Sequence, residues 1–335
     1  MQSQRQAVDF GYLPRRGRII LEATGASSRP DVNSGEHSAR DTPREEQKVI
    51  PAPFDYHRPR TLDEAIALLA AHDEAARIVA GGHSLIPMMK LRLAAPEHLI
   101  DLQDVAELRR IGGDGPALVI GAMTSQQEVI ASALLAAKCP ILRETALQIA
   151  DPQVRALGTI GGNVANGDPG NDMPAVMMAL DAHYRVKGPD GAREVAARDF
   201  YLGSFDTALK PGEILTAIVI PAPPEGHGYA YEKQKRKIGD YATAAAAVIL
   251  TVAQGRCTAA SVALTNVAPT PLFVAASGQA LVGTRFETSA VAEAVRHATT
   301  LAHPAADQRG PAEFRTHVAG VMVRRAIERA KARAA

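Results

Sequence analysis

The stretch GTIGGNVANGDPGNDMP, residues 158–174, restricts the fold more than any other, because it sets five glycines and three asparagines in seventeen residues. A glycine in ordered backbone costs about 0.5–1 kcal/mol relative to alanine, so a cluster marks a tight turn or a close approach of something to the backbone. The acids and amides between the glycines suit a ligand with hydroxyls or phosphates. The apolar run Ala175 to Ala182 follows directly, and MPAVMMAL reads as its helix.

A second glycine pair has a comparable setting: Gly81 and Gly82 follow the strand-like RIVA, as Gly161 and Gly162 follow GTI. A strand-turn-helix edge presents several backbone N–H groups and can hold a pyrophosphate without a lysine. The chain has no GxxxxGK[ST] and no GxGxxG after a strand, so a dinucleotide would need a fold other than the P-loop or Rossmann type. A Gly-Gly pair alone is more often a plain turn, and RRIGGDG at 109–115 reads as an ordinary hairpin.

Composition removes several alternatives. Net charge is +1, there is no tryptophan and aromatics make up 4% of the chain, which leaves neither a basic stripe nor stacking platforms for nucleic acid. Cys139 and Cys257 are far apart with no CxxC, and the ten histidines contain no HExxH or other local ligand pair, so the sequence predicts no metal of its own. Few cysteines suit a reducing compartment, with a disulfide between the two left open. The longest apolar stretch, Ala242 to Ala253, falls well short of the roughly 20 residues that span a bilayer. Arg15 and Arg16 are followed only by Ile19, Ile20 and Leu21, too little for a signal h-region. The expectation is a soluble, cytoplasmic protein.

Residues 1–48 are small, polar and without period, and read as a disordered extension. From Val49 the pattern is globular. Thr61 with Glu64, and Ser125 with Glu128, predict capping boxes for helices beginning near 62 and at 126–136. Strands are expected at Arg77–Ala80, HLIDL, ALVIGAMTS, Tyr184–Val186 and Glu213–Ile220, with 140–157 helical and broken at Pro152. After PAPPEGHG, the segments YAYEKQKR, ATAAAAVILTVAQGR and TAASVALTNV predict an antiparallel meander, and three helices finish the chain. The last of these ends in VRRAIERAKARAA, a solvated basic face. Two folded parts meeting near residue 224 are expected, 49–224 and 225–335.

Three stretches could carry chemistry. Ser84 caps the helix that begins at Leu85 or contacts a ligand, and His83 beside it reads as structural or partly exposed. Asp172, next to Asn171, accepts from sugar or ribityl hydroxyls or caps MPAVMMAL. In KIGDYATAAAAVIL, Gly239 and Asp240 turn the chain and Tyr241 starts a strand, where its ring packs in the core or lies against a flat ligand ring.

AGGHSLIPMMKLRLAAPEHLIDL, GTIGGNVANGDPGNDMPAVM and KRKIGDYATAAAA occur in that order, and with them the chain resembles the flavoproteins of the xanthine dehydrogenase and molybdenum hydroxylase family. GGHS, NGDPGNDMP and KRKIGDYATA point within it to the medium, FAD-binding subunits of the aerobic carbon monoxide dehydrogenase branch. The resemblance covers about residues 49–335. It implies an α+β fold: a two-lobed FAD-binding domain of the PCMH, vanillyl alcohol oxidase-like type, then a C-terminal domain with an antiparallel sheet and helices. It implies noncovalent FAD held by Ala80, Gly81, Gly82, His83, Ser84 and Leu85 in one loop and by Thr159, Ile160, Gly161, Gly162 and Asn163 in the other. Both backbones would lie against pyrophosphate and ribityl chain, with Thr124 near the flavin, Asp172 beside the ribityl region and Tyr241 covering the ring.

The resemblance also implies partners: a small iron-sulfur subunit and a large molybdopterin subunit, in a dimer of heterotrimers that is a heterohexamer. Electrons would pass from iron-sulfur clusters through FAD to a quinone-type acceptor, and the complex could associate peripherally with the inner face of the cytoplasmic membrane. No catalytic residue is expected in this chain beyond the bound flavin. The family begins near IPAPFDYHRP, so residues 1–48 have no counterpart, and an initiator at position 49 is the alternative to a real extension. Other readings are a subunit of an aldehyde or N-heterocycle hydroxylase, a self-sufficient flavin oxidase, and a flavin-free assembly scaffold.

Overall fold

The computed structural model describes residues 50–334, so the expectations for residues 1–48 lie outside the described residues. The chain opens with β1 (Asp55–His57), α1 (Leu62–His72), β2 (Ala76–Val79), α2 (Leu85–Lys90) and β3 (His98–Asp101), whose strands form a parallel sheet in the order β1-β3-β2. Parallel strands need a crossover between them, and α1 is one. Its capping box is half formed: Thr61 Oγ1 accepts from Glu64 N–H at 3.2 Å, but the Glu64 carboxylate takes the N–H of Arg60 instead of Thr61. Leu62, Ala65 and Ile66 turn inward onto Ile100 and Leu102.

β4 (Ile111–Asp114) and β5 (Ala117–Gly121) are the hairpin expected at 109–115, turning at Gly115 with the glycine pair inside β4. They join β6 (His183–Gly188), β7 (Gly191–Ala196) and β10 (Ile214–Pro221) in an antiparallel sheet ordered β4-β5-β10-β6-β7, with β8 (Tyr201–Gly203) and β9 (Asp206–Thr207) as a separate short pair. Six helices run between β5 and β6: α3 (Gln126–Ala131), α4 (Ala133–Lys138), α5 (Pro140–Ala146), α6 (Pro152–Leu157), α7 (Ile160–Ala165) and α8 (Asp172–Ala179). All of them but α6 share one core with Ile120, Tyr184, Val186 and Ile218 of the sheet. The single helix expected over 126–136 is two, because Ser132 leaves the helical region and its Oγ accepts Leu135 N–H at 3.3 Å as the cap of α4. The Ser125–Glu128 capping box is complete. Pro152 starts α6 instead of breaking a helix, since a first-turn position has no N–H bond to lose.

The expected meander is present as β11 (Gly228–Gln234), β12 (Ala244–Ala253) and β13 (Arg256–Thr265), with β14 (Leu272–Phe273) at the edge. Gln254 and Gly255, both at positive φ, make the tight turn between β12 and β13. α9 (Ala275–Gln279), α10 (Thr288–Leu301) and α11 (Ala312–Arg333) follow. Ala245 and Ala247 of β12 join the core around α8, while Ala244, Ala246, Val248 and Leu250 join a second core with Val323, Ala326 and Ile327 of α11. A strand buried on both faces reads as an unbroken apolar run, and its alanines let a helix come close on each side. All eight residues of α8 are buried. Cys139 and Cys257 are buried and unpaired. Among the described residues no helix is long and apolar enough to cross a membrane.

Candidate cofactor site

The two glycine loops meet. At Gly81 a Cβ would stand 2.5 Å from the carbonyl oxygen of Leu157 and 2.6 Å from Cα of Gly158, and Gly82 turns the chain at φ +74. At Gly161 a Cβ would stand 2.5 Å from both Cβ and O of Ala122, just past β5. Ala80 faces Gly162, and the exposed His83 ring lies beside Gly158. Segments 80–85, 121–124 and 158–163 therefore converge at one place, between the small parallel sheet and the antiparallel one.

Their hydrogen bonding differs. In the second loop the N–H groups are taken internally: Ile160 donates to Thr124 O at 2.8 Å, Gly161 to Ala122 O at 2.9 Å, Gly162 to Thr159 Oγ1 at 3.0 Å and Asn163 to Thr159 O at 3.0 Å. The sequence expected these donors to face a pyrophosphate; instead the first two fasten α7 to the segment that follows β5 and the other two close its first turn on Thr159. In the first loop, among the described residues, the N–H groups of Gly81, Gly82, His83, Ser84 and Leu85 meet no protein acceptor. Ser84 does stand at the start of α2, but its hydroxyl makes no capping bond. Thr124 is buried and its Oγ1 has no partner. A buried hydroxyl left without a partner costs about 1–3 kcal/mol, so Thr124 is equipped for a ligand group. Open backbone donors on the first loop, and an unsatisfied hydroxyl on Thr124, whose carbonyl holds Ile160 of the second loop, fit the phosphates and hydroxyls of FAD.

Asp172 is not the cap of α8. Asn163 Oδ1 takes the N–H of Met173 at 3.1 Å, and Asn171 Nδ2 donates to Asn163 O at 2.8 Å. The Asp172 carboxylate turns toward β11, accepting from Tyr231 Oη at 2.5 Å and Lys233 Nζ at 2.8 Å, with all three groups buried. Burial raises the Asp172 pKa above the usual carboxylate range, against the opposing pull of Lys233. Both carboxylate oxygens thus have a protein donor, which a cofactor hydroxyl would have to share.

Tyr241 does not start a strand; it lies in the loop ahead of β12. Its ring rests on Gly170, where a Cβ would come within 2.8 Å of Cδ1, and the Arg309 guanidinium stands 5.8 Å from its centroid. Burial and then the neighbouring Asp168 carboxylate raise the hydroxyl pKa. The residue remains 43% exposed, which leaves it accessible to a ligand.

Asn266 and Arg315 were not legible as site residues. Asn266 donates from its backbone to Pro169 O at 2.9 Å and from Nδ2 to Ala242 O at 2.5 Å, and the buried Arg315 donates to Thr243 O at 3.2 Å and Ala305 O at 2.7 Å. Together they hold the 168–170 turn against the Tyr241 loop. The one local sign was TNVAPT, where Asn266 takes positive φ.

Comparison with known proteins agrees with this arrangement. The family described as "FAD binding domain in molybdopterin dehydrogenase" matches residues 52–223, and "CO dehydrogenase flavoprotein C-terminal domain" matches 229–330. The carbon monoxide dehydrogenase medium chain of Afipia carboxidovorans is 62% identical over 85% of this chain and 99% of its own length. That of Hydrogenophaga pseudoflava is 47% identical over 86% of this chain and 100% of its own. A crystal structure of the Cu,Mo-CO dehydrogenase in its cyanide-inactivated form superposes with a TM-score of 0.85 at 62% identity, over 85% of this chain and 100% of that one. The two converging glycine loops and the alanine-rich sheet behind Tyr241 are therefore those of an oxidoreductase subunit, and the chain belongs to the FAD-binding flavoprotein family of the molybdopterin dehydrogenases, in the branch of the carbon monoxide dehydrogenase medium chains.

Proposed function

We propose that this chain is the flavin-carrying electron-transfer subunit of an aerobic carbon monoxide dehydrogenase. Oxidation of CO with water to CO2, two protons and two electrons takes place in a large molybdopterin subunit, and a small iron-sulfur subunit passes the electrons on. FAD, when bound, accepts two electrons and releases them to a quinone-type acceptor. The chain's own residues bind, orient and enclose. The backbone of Gly81 to Leu85, with Ala80 and His83 at its edges, holds the diphosphate through its open N–H groups. Thr124 receives a cofactor hydroxyl or ring polar atom. Thr159, Ile160, Gly161, Gly162 and Asn163 form the rigid wall behind, Asp172 borders the ribityl side, and Tyr241 lies against the ring.

The observation that supports this most is the run of open N–H groups along the first loop, together with the unsatisfied hydroxyl of Thr124 in the segment that holds the second. The reading takes 49–224 as the flavin-binding part and 225–335 as the part that closes over it. It assembles the chain as a dimer of heterotrimers in the cytoplasm, associated peripherally with the inner face of the membrane, where a quinone is within reach.

Co-purification with mass spectrometry of partners and released cofactor tests it. One FAD per chain, released by acid, with one small and one large partner is the expected result. An assembled complex without flavin would overturn the binding role, and yellow colour kept in the acid pellet would overturn noncovalent attachment.

A further inference from the structure

Histidines 57, 72 and 98 have no ligand spacing in the sequence, yet the fold brings them together. His57 ends β1, His72 ends α1 and His98 starts β3. One ring nitrogen from each lies within 4.8 Å of the other two. His57 Nε2 and His98 Nδ1 are 3.1 Å apart, the His72 and His98 rings stack at 3.6 Å, and His57 stands 5.3 Å from each. The register explains the pairing: Asp55 lies opposite His98, so His57, two residues on, points to the same face of the sheet.

Three imidazoles form a donor set for borderline divalent ions such as Zn2+, Co2+, Ni2+ and Cu2+. Nitrogens bound at about 2.0–2.1 Å to a tetrahedral ion lie roughly 3.3 Å apart, close to the His57–His98 separation. An Asp55 carboxylate oxygen lies 3.8 Å from His98 Nδ1 at the exposed side of the cluster, giving a route in and a further oxygen donor.

We propose that His57, His72 and His98 bind one divalent ion of the zinc class, with water or Asp55 in the fourth position. The ion would pin the end of α1 to β1 and β3, bracing the sheet whose β2 leads into the first glycine loop.

The full, untagged chain, stripped with a chelator and titrated with Co2+, tests this. One equivalent should bind with the strong visible bands of four-coordinate cobalt, and Zn2+ should displace it. His72→Gln and His98→Gln should each weaken uptake by about tenfold or more, since loss of even an outer-shell partner costs that much. Retained far-UV circular dichroism and flavin content show that a variant has kept its fold. Failure of the unaltered chain to take up cobalt would overturn the site, whatever the variants do. Uptake of equal strength and spectrum in a folded His72→Gln or His98→Gln chain would overturn it as well.

Discussion

The first glycine loop leaves its N–H groups open, whereas the second uses the same groups to tie itself to the segment that follows β5 and to close its own first turn. Both loops look alike as sequence: a strand-like lead, two glycines, then a short helix. Their glycines nevertheless answer different demands. In the first loop Gly82 takes the left-handed turn at φ +74 in a run of N–H groups without a protein acceptor, and in the second Gly161 lets α7 press onto Ala122. A glycine pair thus marks close approach, and only the hydrogen-bond partners reveal whether the approaching group is a ligand or the protein itself.

The comparison predicts that altering the second loop damages the fold and altering the first empties the site. Gly161→Val drives its side chain into Ala122, an overpacking that should cost about 3 kcal/mol or more and lower the melting temperature by roughly 6 °C or more. Thermal unfolding of the flavin-free chain measures this, and an unchanged transition would end the assignment of that loop as scaffold. Gly82→Val should be milder for the fold, about 1–3 kcal/mol, because the strain is a left-handed backbone and the nearest atom belongs to the Ile86 side chain. Its flavin-to-protein ratio after gel filtration should nonetheless fall close to zero. Full flavin content in this variant would show that the open donors do not hold the diphosphate.

Two smaller effects sharpen the contrast at the ring and the hydroxyl. Tyr241→Ala removes a ring contact and leaves the diphosphate donors in place, so FAD should bind more weakly by about 0.5–1.5 kcal/mol, and acceptor turnover at saturating FAD should change while reduction of the molybdenum centre does not. Fluorescence titration of the apoprotein and stopped-flow reduction measure these; if affinity and turnover both stay the same, Tyr241 is core packing. Thr124→Val should weaken FAD by about 1 kcal/mol and leave the apoprotein as stable or slightly more so, since it removes a buried hydroxyl that has no partner in the free chain. A loss of apoprotein stability would mean that the hydroxyl serves the fold.

Where function was legible in the sequence, the signal was local. GTIGGN and AGGHS announce backbone approached closely, KRKIGDYATAAAA announces a turn ahead of a small-residue strand, and the meander, the terminal helices and the 109–115 hairpin follow from period and turn chemistry. Failures came where a local motif had a distant competitor. Asp172 looked like a possible cap for MPAVMMAL, but Tyr231 and Lys233, about sixty residues on, hold its carboxylate on the side of β11. Glu64 looked like half of a capping box, but its carboxylate turns to Arg60. Tyr241 looked like a strand start, but Arg315 and Asn266 hold that segment as a loop through its carbonyl groups.

The sequence by itself determined which backbone segments must be tight and where the antiparallel meander and its flanking helices run, because side-chain size, turn propensity and periodicity act over a few residues, and its motifs carried the resemblance to a flavin-binding family. Tertiary structure alone decided which N–H groups remain open, which carboxylate loses its freedom to a buried lysine and which three histidines share one face. A hydrogen bond or a ligand set depends on where groups lie in space to within a few tenths of an ångström, and pairs such as Asp172 with Lys233 or His57 with His98 become neighbours only when separate layers pack together.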